Sequence, residues 1–210
     1  MIKTVILDMD GVLIEAKDWH YEALNRALRL FGYEIGRYEH LTTYDGLPTS
    51  KKLEMLTLER GLPIGLHEFI NEIKQIYTME LVHACCKPRF VHEYALSCLK
   101  EKGYKLAVAS NSIRNTVEVM MQKSNLTGYL DRMFTTNDIH HPKPNPEIYL
   151  TAMRQLETEP QECLVIEDNE NGIRAAVASG AHVLAVKETD EVNIENILGA
   201  IQRAETGGKV

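Results

Sequence analysis

The chain has 210 residues, 44% hydrophobic and 25% charged, which suits one globular domain or one core with a smaller unit inserted. Its formal net charge is −7 (23 Lys+Arg against 30 Asp+Glu) with no basic block, which argues against a nucleic-acid surface but leaves room for one local positive pocket. No apolar run approaches the ~18 residues of a membrane span, and no signal segment precedes the first strand. Cys85, Cys86, Cys98 and Cys163 lack C-x-x-C spacing, so the expectation is a cytoplasmic protein with reduced thiols.

Val5-Ile6-Leu7 is the aliphatic run of a buried parallel strand, and it leads into Asp8-Met9-Asp10-Gly11. In an open α/β sheet, chemistry collects at the carboxyl ends of strands, where Asp8 and Asp10 fall. On its own the octet has a plainer alternative, a polar turn after a strand. A helical stripe follows from near Asp18, with His20, Ala23, Leu24, Ala27, Leu28 and Phe31 on one face and Gly32 closing it. A second helix opens after Pro48-Thr49, carries Leu53 and Leu56 inward and stops at Gly61. A third runs from about Leu66, with Phe69, Ile70, Ile73, Ile76, Tyr77 and Leu81 as its apolar face. Residues 16–82 thus show helices and no strand, and are predicted to be a small helical unit inserted after strand one.

Strands and helices then alternate. The pattern predicts a helix over Phe90–Lys102, a strand over Lys105–Ala109 ending in Ser110-Asn111, and a helix around Thr116–Gln122. A strand near Met133–Thr136 and a helix over Pro146–Leu156 follow. Cys163–Ile166 is a strand ending in Glu167-Asp168, and Gly172–Ser179 is a small-residue helix. His182–Val186 is the last strand, before a helix over Asn193–Ala204 and a polar tail from Glu205. This order predicts an α/β fold, a doubly wound, Rossmann-like parallel sheet formed by residues 1–15 and 83–210, with the 16–82 unit as a separate helical domain.

Asp8, Asp10, Glu167 and Asp168 would converge at strand ends, where they repel one another unless a cation sits among them. An oxygen-only set without His or Cys suits magnesium. Lys143, in the loop His141-Pro142-Lys143-Pro144-Asn145-Pro146, would add a place for an anion, and Ser110-Asn111 would offer donors to its oxygens. Phosphoryl transfer, which depends on positioning and charge neutralisation, fits that inventory.

Four ordered motifs carry a resemblance that covers nearly the whole chain. They are Asp8-Met9-Asp10-Gly11-Val12, Ala109-Ser110-Asn111, Lys143-Pro144-Asn145-Pro146-Glu147-Ile148-Tyr149, and Val165-Ile166-Glu167-Asp168 followed by Asn171-Gly172-Ile173. With them the chain resembles the haloacid dehalogenase-like (HAD) superfamily, in its branch of capped phosphatases and β-phosphoglucomutase-like enzymes. The resemblance implies that Asp8 is the nucleophile taking the phosphoryl group and Asp10 the general acid and base. It implies that Asp8, the Asp10 carbonyl and Asp168 hold Mg2+, with Glu167 ligating directly or through water, that Ser110 and Lys143 clamp the phosphoryl oxygens, and that the Met9 and Asn111 amides donate further. The helical unit would be the cap, with His20 and the loop 43–49 around Gly46 as substrate contacts. For His20 the alternative is simple packing. Lys51 and Lys52 read as a solvated face, and His140 and His141 as loop residues.

The expected function is magnesium-dependent hydrolysis of a small phosphomonoester, a sugar or polyol phosphate, through an aspartyl phosphate. The partner is a small phosphorylated metabolite, with neither nucleic acid nor membrane involved. Eight Lys/Arg against ten Asp/Glu over 16–82 give no general funnel for a nucleoside triphosphate. A β-phosphoglucomutase-like mutase is the alternative, against which stand Ala16 at the mutase's threonine position and Thr49 at its phosphate-binding arginine. A dehalogenase needs neither the D-x-D pair nor Glu167-Asp168. A receiver-like signalling domain would carry its acceptor on a later strand, and a retired binding scaffold would not need Asp8, Asp10, Lys143 and Asp168 together.

Overall fold

The computed structural model describes residues 1–207, and of the polar tail residues 208–210 lie outside that range. Five parallel strands form one sheet in the order β3-β2-β1-β4-β5. They are β1 (Thr4–Leu7), β2 (Lys105–Ala109), β3 (Arg132–Phe134), β4 (Cys163–Glu167) and β5 (His182–Ala185). Chain order reverses beside β1, the crevice where doubly wound sheets bind ligands. β1 pairs with both β2 and β4, with Leu7 opposite Val108 on one side and Ile166 on the other. This register brings the carboxyl ends carrying Asp8, Ser110 and Glu167 level with one another.

The chain divides into two compact units, residues 1–15 with 87–210, and residues 16–86. The second is helical: α1 (Lys17–Arg29), a three-residue turn α2 (Arg37–Glu39), a π-helical turn (His40–Tyr44), α3 (Thr49–Arg60) and α4 (His67–Cys85). Its core gathers Leu24, Ala27, Leu28, Ile35, Tyr44, Leu53, Leu56, Leu62 and Ile70. Asn25, buried among them, bonds both backbone groups of Ile35 at 2.9 and 2.8 Å, so its polarity is satisfied without water.

Two sequence expectations fail in this unit. The buried face of α4 is Ile70, Lys74, Thr78 and Val82, while Phe69 and Ile76 are more than half exposed. The apolar residues of α4 span too wide an arc to choose a face, and packing against α1 selected the row containing Lys74. Lys52 is only 7% exposed, whereas Lys51 is exposed and ion-paired to Glu54 at 2.7 Å. The solvated-face reading therefore holds for Lys51 alone.

In the first unit, α5 (Phe90–Glu101), α6 (Arg114–Lys123), α7 (Glu147–Gln155), α8 (Glu170–Ala178) and α9 (Ile194–Glu205) accompany the sheet. Ile6, Ala107, Ala109, Cys163 and Val165 meet Ile148, Tyr149, Ala152 and Ala175 in one cluster. The alternate residues Val5, Leu7, Leu106, Val108, Leu164 and Ile166 are also fully buried. Burial on both faces is why these strands read as continuous apolar runs.

Candidate active site

Immediately after β1 the backbone folds into a tight turn. Gly11 takes φ +93, a conformation that costs side-chain-bearing residues dearly, and its N–H bonds Ile14 O at 2.7 Å. The amides of Leu13 and Ile14 return to Met9 O at 3.0 and 2.9 Å, which fixes Asp10 two residues beyond Asp8. Asp8 continues the strand ladder through its own N–H to Ile166 O, and its residue is 4% exposed.

Lys143 is 3% exposed and its ammonium donates to Asp8 Oδ1 at 2.5 Å, Glu167 Oε1 at 2.6 Å and Ala109 O at 2.8 Å. Three strand ends are thereby tied through one cation. The loop that supplies it is held by Asn111, whose side-chain amide pairs with the Lys143 backbone in both directions, at 3.3 and 3.0 Å. Ser110 is buried, with its Oγ accepting the Ser112 N–H at 3.0 Å, and the Ser112 hydroxyl donates to Asp10 Oδ2 at 3.1 Å.

Glu167, fully buried, receives Lys143 and the Tyr149 hydroxyl on Oε1, the latter at 2.5 Å, and the Asp168 N–H on Oε2 at 3.2 Å. Gly172, whose N–H is capped by Asn169 Oδ1, leaves room for that carboxylate, since a Cβ there would lie 1.9 Å from Glu167 Oε1. Tyr149 and Ser112 were not singled out from the sequence. Tyr149 ends the motif Lys143–Tyr149, and nothing in that pattern marks its hydroxyl as part of the site. His140 and His141 use their backbone N–H groups to bond Glu147, each at 2.9 Å, which fits their loop role.

Burial pushes the Asp8 carboxyl well above the usual range; Lys143 opposes this, while Glu167, Asp168 and Asp10 add to it. For Lys143, burial pulls downward, but Asp8 and Glu167 outweigh it and hold the ammonium above its ordinary value. Burial, then the charges of Glu167 and Asp8, keep Tyr149 neutral as a donor. Negative charge therefore exceeds what one lysine compensates. Ligand oxygens of Asp8, Glu167 and Asp168 all lie within 4.8 Å of one another, so this all-oxygen group could hold a hard divalent cation.

Asp8, Asp10, Ser110, Asn111, Lys143, Glu167 and Asp168 thus share the carboxyl edge of one sheet. His20 and Gly46 belong to the helical unit, where His20 Nδ1 lies 3.3 Å from Lys74 Nζ and Gly46 takes φ +69.

The family described as haloacid dehalogenase-like hydrolase matches residues 5–186. The chain is a member of that family. It is an enzyme of the family's phosphatase branch. A phosphorylated carbohydrates phosphatase from Thermotoga maritima is 29% identical over 182 residues, covering 85% of this chain and 82% of the relative. The pyrophosphatase PpaX of Bacillus cereus is 28% identical over 198 residues, covering 90% and 84%. Among solved structures, β-phosphoglucomutase from Clostridium difficile superposes with a TM-score of 0.84 at 22% identity, over 98% of this chain and 100% of that one. That likeness establishes the doubly wound fold of this HAD member. Among the described residues no helix is long and apolar enough to cross a membrane.

Proposed function

We propose that this HAD enzyme is a magnesium-dependent phosphatase acting on a small phosphomonoester, a sugar or polyol phosphate, by way of an aspartyl phosphate on Asp8. The observation that carries the reading is the buried Asp8–Lys143–Glu167 triad at the carboxyl edge of the sheet, with Asp10 beside it. The names of the Thermotoga and Bacillus relatives agree with phosphate-ester and phosphoanhydride chemistry. Asp8, Asp168 and the Asp10 carbonyl, with Glu167, would hold the magnesium. When bound, the ion neutralises charge on the phosphoryl oxygens.

In the first step Asp8 attacks phosphorus, the ester P–O bond breaks and Asp10 gives its proton to the departing alkoxide. Lys143 neutralises charge beside the nucleophile, and Ser112 holds the Asp10 carboxyl in place. In the second step Asp10 removes a proton from water, the water oxygen bonds phosphorus, and inorganic phosphate leaves Asp8 free. The free thiols fit a reducing compartment, and we place the enzyme in the cytoplasm.

The test is phosphate release from a panel of sugar and polyol phosphates, with Asp8→Asn as the blank. Release that needs magnesium and vanishes in Asp8→Asn is expected. Turnover that persists in EDTA or in Asp8→Asn would sink the proposal. β-Glucose 1-phosphate separates the mutase alternative, for which the isomer would appear without free phosphate.

A further inference from the structure

A buried histidine lies in the first unit, outside the group of residues around Asp8. His92, on the first turn of α5, is 1% exposed. Its Nε2 lies 2.9 Å from Thr189 O, in the short turn Thr189–Glu191 that follows β5. The ring also bonds the backbone of Leu13, in a contact that favours the protonated ring and so involves the carbonyl oxygen, not the amide. Both partners are acceptors only, so the ring meets them as an N–H donor. Burial holds the imidazole below its ordinary value, with Arg89 acting in the same direction and Asp190 against it. At neutral pH the ring is therefore uncharged, and what it supplies is hydrogen bonding, with one N–H for two oxygens.

Leu13 belongs to the turn that seats Asp10. The N–H groups of Val12, Leu13 and Ile14 all point to Met9 O, at 3.4, 3.0 and 2.9 Å, and the Gly11 N–H closes on Ile14 O at 2.7 Å. Those bonds set the shape of the turn from within, whereas His92 grips it from α5. On the other side of the ring, Thr189 is itself fixed. Arg89 donates to the Thr189 hydroxyl and to the Asp190 carboxylate, and the Val192 N–H bonds Thr189 O at 3.2 Å. All of these residues belong to the first unit. Packing alone would be served by an apolar side chain of similar size, without the cost of burying ring nitrogens.

We propose that His92 is a positioning residue for Asp10, acting through the Leu13 carbonyl on the turn 9–14 and itself anchored at Thr189. The catalytic half of this statement rests on the phosphatase reading, in which Asp10 protonates the leaving oxygen; the hold on the turn does not. A displacement of ~1 Å in such a group costs about 10²-fold in rate. The damage should fall on substrates whose leaving group needs the proton.

Two measurements test it. The first is kcat/KM, which covers the chemistry through departure of the leaving group. It compares the best alkyl phosphate of the sugar and polyol panel with p-nitrophenyl phosphate, or with acetyl phosphate where the aryl ester is not accepted. The last two leave without a proton. In His92→Leu the alkyl ester should lose about tenfold or more, and the activated one less than about threefold. His92→Gln, whose amide nitrogen carries two N–H groups, should restore most of the loss. Arg89→Met, at a half-buried position, should show the same pattern more weakly, and it decides the matter where His92→Leu does not fold. Equal losses on both substrates, or none, overturn the positioning role. The second follows amide hydrogen exchange by NMR. The Leu13 and Ile14 amides should exchange about tenfold faster in the variant, relative to those of Ala107 and Val108 in β2. No selective change overturns the hold on the turn. If the parent enzyme hydrolyses no phosphate ester but the selective exchange appears, the phosphatase reading has failed and the hold stands.

Discussion

Gly172→Ala should be among the most damaging small substitutions in this protein, although it adds one methyl group. The new Cβ would fall 1.9 Å from Glu167 Oε1, 2.0 Å from Cδ and 2.2 Å from Oε2. Relaxed contacts begin near ~3.5 Å, so the carboxylate must move by about 1.5 Å. It has nowhere to go without releasing Lys143 and Tyr149, which hold it at 2.6 and 2.5 Å in a fully buried site. Breaking such a buried pair costs about 3–5 kcal/mol. Alanine's preference for helix over glycine returns about 1 kcal/mol. The net loss of roughly 2–4 kcal/mol corresponds to a melting-point drop of about 5–15 °C for a chain of this size. Activity should fall with it, because Lys143 would lose one of the two carboxylates that position it. Gly199→Ala in α9 is the control, since its Cβ would meet nothing nearer than Arg203 Nη1 at 3.4 Å. That variant should gain up to ~1 kcal/mol. Calorimetric melting and magnesium-dependent phosphate release read both. Gly172→Ala melting with the parent and retaining its activity would refute the wedge argument.

Tyr149→Phe removes the hydroxyl that meets Glu167 Oε1 but leaves Lys143 there; it should cost about 1–2 kcal/mol in denaturant unfolding and roughly tenfold in kcat. Unchanged kinetics would show that Lys143 alone positions Glu167. Asp10→Asn should cut turnover by about 10²- to 10⁴-fold. Its magnesium affinity by calorimetry should hold, because the proposed metal contact is a backbone oxygen; loss as complete as in Asp8→Asn would overturn the role assignment. Asp8→Asn should melt above the parent in metal-free buffer at about pH 8. With its folded pKa raised, Asp8 contributes stability in full below the unfolded value of ~3.9, and that contribution is lost as pH rises towards the folded value. An amide escapes that loss, so the gap should narrow towards about pH 4 and also on adding magnesium; a lower melting point at about pH 8 would contradict the electrostatic picture.

The core was legible because β1, β2 and β4 are buried on both faces and the candidate chemistry sits at or just past their carboxyl ends. Val5-Ile6-Leu7 followed by Asp8 needs no tertiary information, and neither does Val165-Ile166 followed by Glu167-Asp168. What escaped depends on which face a helix turns inward. On α4, Phe69 and Ile76 looked as suited to burial as Ile70, yet it is the row with Lys74 that lies inside. On α3, adjacent Lys51 and Lys52 are chemically the same, and only the packing of Leu53 and Leu56 separates the exposed one from the buried one. Tyr149 escaped for the opposite reason: its ring belongs to the core, and its hydroxyl acts only because Glu167 reaches it from a strand 18 residues later.

Those buried lysines also change the case between phosphatase and mutase. Thr49, where a β-phosphoglucomutase-like enzyme carries a phosphate-binding arginine, opens α3 as its first residue. Read along the sequence, that substitution removes the grip on a second phosphate. With Lys52 buried one turn further on and Lys74 beside His20, a loss of arginine at 49 is not a loss of cationic charge from the unit. The division between the two reactions falls on what would discharge the proposed aspartyl phosphate on Asp8. Hydrolysis needs a base that water can reach without waiting for a sugar. As the proposed base, Asp10 would meet that need: the Gly11 turn sets its backbone, and the Ser112 hydroxyl donates to its Oδ2 at 3.1 Å. A phosphomutase has to withhold such a base from water while the sugar reorients, so free phosphate against isomer from β-glucose 1-phosphate is the readout that divides the two reactions.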